Sequence, residues 1–200
     1  MKLPVIETKR LILKPISRAD VKAIYAYAKH PDVGPPAGWM PHTSVKETHE
    51  FIDFIMQRKK TGQPGPWSIY HREDRTVIGT IELHSFREWK AEIGFALGKD
   101  YWRQGIMKEA AIAVLIVAFE DFGLSRISYK HFVDNEASRA LRASLGFVEE
   151  GIKRNGFKHA DGRILDEVVS SMILEDYKKR FNQQFKAAKA MMQVRYEDTI

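Results

Sequence analysis

Apolar and polar residues alternate over residues 8–16, with Leu11, Leu13 and Ile16 on one side, and this two-residue period predicts a strand. Ser17 stands where a helix N-cap belongs, and Val21, Ile24 and Tyr25 at helical spacing predict a helix ending at Ala28. Residues 30–44 carry Pro31, Pro35, Pro36, Pro41, Gly34 and Gly38, so this stretch is expected to be irregular. A second amphipathic helix follows, with Val45, Phe51, Ile52, Ile55 and Met56 on its apolar side, and it stops before Gly62-Gln63-Pro64-Gly65-Pro66. Residues 67–71, 76–86 and 91–97 read as strands separated by short polar turns, an antiparallel meander. Residues 105–122 predict a helix whose middle, 110–119, is apolar on every face and therefore buried, with Gly123 as its C-cap. A strand over 127–133 and a short helix over 135–145 ending at Gly146 come next. A closing hairpin over 147–158 and 164–174 turns at Ala160-Asp161-Gly162. The last 25 residues read as a helix with Tyr177, Phe181, Phe185, Ala188 and Met192 near one face. Strands flanking helices in this order make a mixed α+β domain around one central sheet.

Composition narrows the class. Two hundred residues suit one compact domain, and 44% apolar with 29% charged residues is ordinary for a soluble protein. The chain has no cysteine, which excludes disulfides, a cysteine nucleophile and thiolate metal sites. Its longest apolar run, 110–119, is far short of the ~20 residues of a membrane span. The first seven residues lack the apolar core of a signal peptide, so a cytoplasmic location is expected. The net charge of +6 suits an anionic partner, but the basic residues are interleaved with Glu and Asp, which speaks against nucleic acid. No spacing of the seven histidines matches a zinc motif, so no metal is expected.

The segment that carries chemistry is Leu97-Gly98-Lys99-Asp100-Tyr101-Trp102-Arg103-Gln104-Gly105-Ile106-Met107-Lys108-Glu109-Ala110. It joins a strand to the buried helix with a glycine at the helix entrance. Unpaired N–H groups and the positive end of the dipole make such an entrance an anion site suited to a pyrophosphate, and Arg103 and Lys108 add positive charge. The same spacing is also that of a plain strand–helix turn. It is neither a P-loop nor a dinucleotide-binding fingerprint, since the further glycines and the Gly-Lys-Ser/Thr ending are missing.

Ala91-Glu92-Ile93-Gly94-Phe95-Ala96-Leu97 followed by Tyr101-Trp102-Arg103-Gln104-Gly105-Ile106-Met107-Lys108-Glu109-Ala110 resembles the acetyl-CoA-binding core of GNAT N-acetyltransferases. Glu7-Thr8-Lys9-Arg10-Leu11-Ile12-Leu13-Lys14-Pro15, Gly38-Trp39-Met40-Pro41, Val133-Asp134-Asn135-Glu136-Ala137-Ser138 and Leu145-Gly146-Phe147 are similar to the RimJ/RimL subgroup, in one order across residues 7 to 175. The resemblance implies a single GNAT domain over 1–175 with a helical extension over 176–200. It implies a central, mostly antiparallel twisted sheet flanked by helices, with a splayed strand pair binding acetyl-CoA. The backbone near Phe95, Ala96 and Leu97 would polarise the acetyl carbonyl, and Arg103, Gln104, Gly105, Ile106, Met107 and Lys108 would hold the pyrophosphate. Asn135, Ser138 and Arg142 would complete the cofactor contacts, and Trp39, Phe86 and Trp89 fall in regions that shape the acceptor pocket. Four positions depart from the pattern: Arg103 stands where the subgroup usually has glycine and Ser144 where it often has lysine, besides Met107 and Arg142. Met107 replaces a small residue and is expected to narrow the approach of the pyrophosphate, and Arg142 stands where many members have an acidic tyrosine, leaving Ser138 to reprotonate the thiolate.

Without cysteine, the natural route is direct attack of an amine on the thioester. Glu92 is the first choice for general base, since its strand resembles the one that carries the glutamate base in histone-acetylating members, with Glu82 and His84 as a second pair on the neighbouring strand. A water chain without a unique base also fits. The acceptor is a primary amine, on a protein N-terminus (a ribosome-associated one included) or on a small molecule. The extension is expected to dock on the domain or on a second subunit of a homodimer. The competing class is a non-catalytic acyl-CoA sensor or a ribosome- or RNA-docking module.

Overall fold

The computed structural model describes residues 2–60 and 64–196. Those residues form one nine-stranded sheet in the order β7-β8-β6-β5-β4-β3-β2-β1-β9. The strands are β1 (Val5–Glu7), β2 (Leu11–Pro15), β3 (Trp67–His71), β4 (Thr76–Arg87), β5 (Lys90–Leu97), β6 (Arg126–Phe132), β7 (Val148–Lys158), β8 (Ile164–Ile173) and β9 (Gln193–Arg195). Every neighbouring pair is antiparallel except β5–β6. The fold is therefore the α+β domain around one sheet that the sequence pattern predicts, and the mostly antiparallel sheet flanked by helices that the resemblance implies.

The two faces of the sheet are covered differently. Ile81 and Leu83 of β4, Ala91 and Ile93 of β5, Ile127 and Tyr129 of β6 and Met172 of β8 pack in one core with α3 (Ile106–Ile116). α3 is apolar all round and is buried from Ala110 through the π-turn of Val117–Asp121, apart from that turn's two acidic residues. The opposite face meets α1 (Val21–Ala28) and α2 (Val45–Lys60) through Ile24, Tyr27, Ile52 and Ile55, which cluster with Val77. On α2 the expected apolar side is only half covered, since Ile52 and Ile55 are buried while Val45 and Phe51 face outward.

Two local expectations change. The first strand is a hairpin, β1 and β2, because Thr8 turns the chain with its N–H on the Leu11 carbonyl at 2.9 Å. The stop of the second helix at Gly62 and Gln63 lies outside the described residues, as do residues 197–200. The C-terminal helix is shorter than its pattern suggests. α5 (Leu174–Arg180) and α6 (Lys186–Met191) are joined by the π-turn Phe181–Phe185, and the chain is extended at β9, which pairs with β1 from Val5↔Arg195 to Glu7↔Gln193. Tyr177 and Phe185, beyond residue 175, belong to the same core as α3, and the Tyr177 ring stacks on Phe119 at 4.8 Å between centroids.

Candidate active site

The parallel junction of the sheet comes apart partway along. β5 and β6 pair only from Lys90↔Arg126 to Ile93↔Tyr129, although β5 runs on to Leu97 and β6 to Phe132. β4 stays with β5 as far as Gly79↔Leu97. The Gly98 N–H donates to the Ile78 carbonyl at 2.8 Å. Hydrogen-bonded and open pairs alternate along an antiparallel ladder, so Gly94 and Ala96 turn their backbone groups to β4, and Phe95 and Leu97 turn theirs to the gap. Of the three residues the resemblance named here, Ala96 is thus committed to β4. The Leu97 carbonyl accepts the Trp102 indole N–H at 2.8 Å. That leaves the Leu97 N–H and both backbone groups of Phe95 without a strand opposite.

Beyond β5 the chain makes a tight turn into α3. Arg103 and Gly105 both have positive φ, +60° and +72°. Glycine takes this conformation without a Cβ penalty, whereas Arg103 adopts it at a steric disadvantage. The first-turn N–H groups of Ile106, Met107 and Lys108 have no acceptor within the helix. Arg103, Gln104 and Gly105 are exposed beside them. Gln104 is held by its neighbours, its Nε2 donating to the Asp100 carbonyl at 2.7 Å and its carbonyl accepting from Arg10 at 2.8 Å. Met107 does not obstruct the turn. Its side chain is buried in the α3 core, so the expected narrowing of the approach is absent. Glu109, not assigned a role from sequence, staples the turn in place by accepting from the Thr8 hydroxyl at 2.6 Å, the Arg10 N–H at 2.9 Å and Arg10 Nε at 2.7 Å.

On the helical face of the gap, α4 (Glu136–Leu145) begins at Asn135, whose Oδ1 accepts the Ser138 N–H at 3.0 Å. Its Nδ2 donates to the Pro36 carbonyl at 3.1 Å, tying the proline-rich loop to the same helix. Ser138 is nearly buried, and its Oγ lies 2.8 Å from the Tyr129 hydroxyl, which also reaches the Ser138 carbonyl at 3.0 Å. Tyr129 ends the paired part of β6, so this hydroxyl pair sits at the point where the strands part. Burial pushes the Tyr129 phenol above its usual range, opposed by its bond to Ser138 and by the Arg142 charge, so it keeps its proton at neutral pH. The sequence reading missed Tyr129 because a tyrosine alternating with apolar strand residues looks like core. Arg142 is a correction. Its guanidinium pairs with Glu149 at 3.0 Å and reaches Ser170 at 3.4 Å, so it locks α4 to β7 and β8 instead of reaching toward a nucleotide.

The opposite face carries the candidate bases. Strand alternation and the pairs Glu82↔Gly94, His84↔Glu92 and Glu92↔Ser128 put Glu82, His84, Glu92 and Lys130 on one side. Glu92 is taken up by an ion pair with Lys130 at 2.7 Å, and His84 Nε2 stands 3.9 Å from its other oxygen. Gly94 leaves the floor open between them, since a Cβ there would lie 3.2 Å from His84 Nε2 and 3.7 Å from Glu82 Cγ. The three aromatic residues expected around the acceptor are not gathered. Trp39 packs from the proline-rich loop against His42 and the α1–α2 cluster. Phe86 and Trp89 lie at the β4–β5 turn, the closed end of the junction. Among the described residues no group of three or more His, Asp or Glu is placed to hold a metal ion, and no helix is long and apolar enough to cross a membrane.

Residues 10–148 match the family model described as acetyltransferase (GNAT) domain. The chain is 32% identical over 172 residues to the N-acetyltransferase YoaA of Bacillus subtilis, spanning 85% of this chain and 97% of that protein. It is 21% identical over 145 residues to the ribosomal protein uS5 alanine N-acetyltransferase of Escherichia coli, 71% of this chain and 70% of the relative. Its fold superposes with a TM-score of 0.71 on the ribosomal-protein-S5-alanine acetyltransferase of Vibrio fischeri, at 22% identity, covering 86% of this chain and 97% of that one. A strand junction that opens beside a helix entrance, together with these matches, makes the chain an acetyltransferase that belongs to the GNAT family.

Proposed function

We propose that the protein transfers the acetyl group of acetyl-CoA to a primary amine by direct attack, in the cytoplasm, with the N-terminal α-amine of a protein or a small-molecule amine as acceptor. The observation that carries this reading is the opening between β5 and β6, with a hydroxyl pair on one face and carboxylates on the other. A thioester seated in that opening would have the Ser138 hydroxyl on one side and the Glu82, His84 and Glu92 side chains on the other. The residues suit the co-substrate: free N–H groups of the α3 entrance with Arg103 and Lys108 for the pyrophosphate, Asn135 for the pantetheine arm, and the Phe95 and Leu97 N–H groups for the carbonyl oxygen. Acetyl-CoA supplies the activated acetyl group; the protein orients it and moves two protons. The names of the ribosomal-protein relatives favour a protein N-terminus as acceptor.

Acetyl-CoA at millimolar concentration is expected to raise the melting temperature, as any ligand of the folded state must. Mixing it with an alanine-initiated peptide or spermidine is expected to release free thiol, read without background because the chain has no cysteine. Absence of both responses removes the reading.

The hydroxyl pair defines a second expected result. The Tyr129 phenol has one hydrogen and stands within reach of both the Ser138 carbonyl and Oγ, so Ser138 is free to donate to a departing thiolate once the phenol hydrogen turns to its Oγ. Ser138→Ala is expected to lower kcat by ~10-fold or more at unchanged acetyl-CoA affinity, and the loss should persist at high pH. Recovery of the rate above pH 9 would leave the Ser138 hydroxyl as no more than a partner of Tyr129.

A further inference from the structure

Glu167 is a carboxylate in this region that neither the sequence pattern nor the resemblance singled out. It lies on β8 opposite Phe132 of β6 and Lys153 of β7, on the same face as Glu92 and Lys130. Unlike the other carboxylates on that face it is buried, with 7% of its surface exposed. The irregularity in the β7–β8 ladder between Lys153 and Phe157 folds the chain over it, and a Cβ at Gly156 would come within 2.7 Å of its Oε2. The charges acting on it are Lys130 from β6, Lys153 from β7 and Glu92 from β5. Of these, Lys130 is already engaged by Glu92 at 2.7 Å, and Glu92 also faces His84 of β4. Burial pushes the Glu167 carboxyl above its usual range, the two lysines pull it back, and Glu92 adds to the rise.

We propose that Glu167, and not Glu92, is the general base that deprotonates the acceptor ammonium. The inference rests on the transferase reading above. An ammonium drawn to this acidic face gives one proton to the Glu167 carboxylate. The freed nitrogen lone pair then forms the C–N bond as the C–S bond of the thioester breaks. The second N–H proton of the new amide goes to the sulfur through Ser138, and Glu167 returns its proton to water. The sum is ammonium plus thioester giving amide, thiol and one released proton. Glu92 holds Lys130 at 2.7 Å and so shares with Glu167 a cation that would otherwise act on Glu167 alone.

The test compares Glu167→Gln, Glu167→Asp and Glu92→Gln, with an alanine-initiated peptide and spermidine as acceptors. Glu167→Gln is expected to lose ~10²-fold or more in rate at neutral pH. The loss should shrink as pH passes the acceptor's own pKa, with the acetyl-CoA melting shift intact. Glu167→Asp should recover part of the rate. Glu92→Gln should lose less and should keep the wild-type shape of the pH profile only in part, because Lys130 is released toward Glu167. Infrared difference spectra without any acetyl-CoA supply an independent readout. Wild type should show a protonated carboxyl band titrating above the ordinary glutamate value of ~4.3, and Glu167→Gln should lack it. A Glu167→Gln profile identical to wild type, or no such band, overturns the assignment while leaving the transferase reading standing. A wild-type protein that releases no thiol with either acceptor but shows the band overturns both.

Discussion

A chain ending at Leu174 is expected to fail to form a stable domain. Phe185 is fully buried and Tyr177 nearly so, both within the core that α3 shares with the sheet. Tyr177 touches Phe119, Phe181 and Phe185, and its hydroxyl donates to Glu120 at 2.6 Å. Removing one such aromatic costs about 3–5 kcal/mol, against a total stability of about 5–15 kcal/mol for a domain. Truncation removes both at once, together with the partner of β1. Phe185→Ala isolates the term, and urea denaturation should show its midpoint falling with an unchanged slope. A truncated chain that melts with the full-length protein would make the tail an accessory instead.

Substituting Gly79 is expected to damage stability and cofactor binding together. A Cβ at this position would lie 2.4 Å from the Ala96 carbonyl oxygen and 3.1 Å from the Leu97 Cα. Both are backbone atoms of β5, so no side-chain rotation relieves the clash and the strand itself must shift. Overpacking of this kind costs about 1–3 kcal/mol, and Gly79→Val should exceed Gly79→Ala. The displaced segment is the one that turns Phe95 and Leu97 toward the gap, so acetyl-CoA affinity should fall by ~10-fold or more, read by calorimetry, even where the variant remains folded. Gly79→Ala with wild-type stability and affinity would show that the close approach of β4 and β5 has no bearing on the gap.

Much of the architecture was legible because each element carries its own local signal. The all-apolar run of α3, the glycine ends of α3 and α4, the strand alternation of β4 and β5 and the Asn135 cap each state their structure within a dozen residues. What stayed hidden depends on pairings across the chain. Glu92 looked like a free base because Lys130, its partner, is 38 residues away on another strand. Glu167 is not singled out by its place in the closing hairpin, and the β7 irregularity lies beside its buried side chain. Arg142 has a helix-surface position by spacing, and Glu149 and Ser170 decide that it points into the fold. At the tail, Tyr177, Phe181 and Phe185 at helical spacing gave the helix, while nothing in Gln193-Val194-Arg195 announces that a strand edge is waiting for it.

That edge has a timing. β1 leaves the ribosome well ahead of β9, so the backbone groups of Val5 and Glu7 that face β9 stay open until the far end of the fold has been made. An open strand edge is a template for any extended chain nearby, and contacts this distant in sequence close late. The nascent protein therefore spends its vulnerable interval with one edge of its sheet unfinished, and the clasp of Arg195 on Glu7 marks the moment that interval closes.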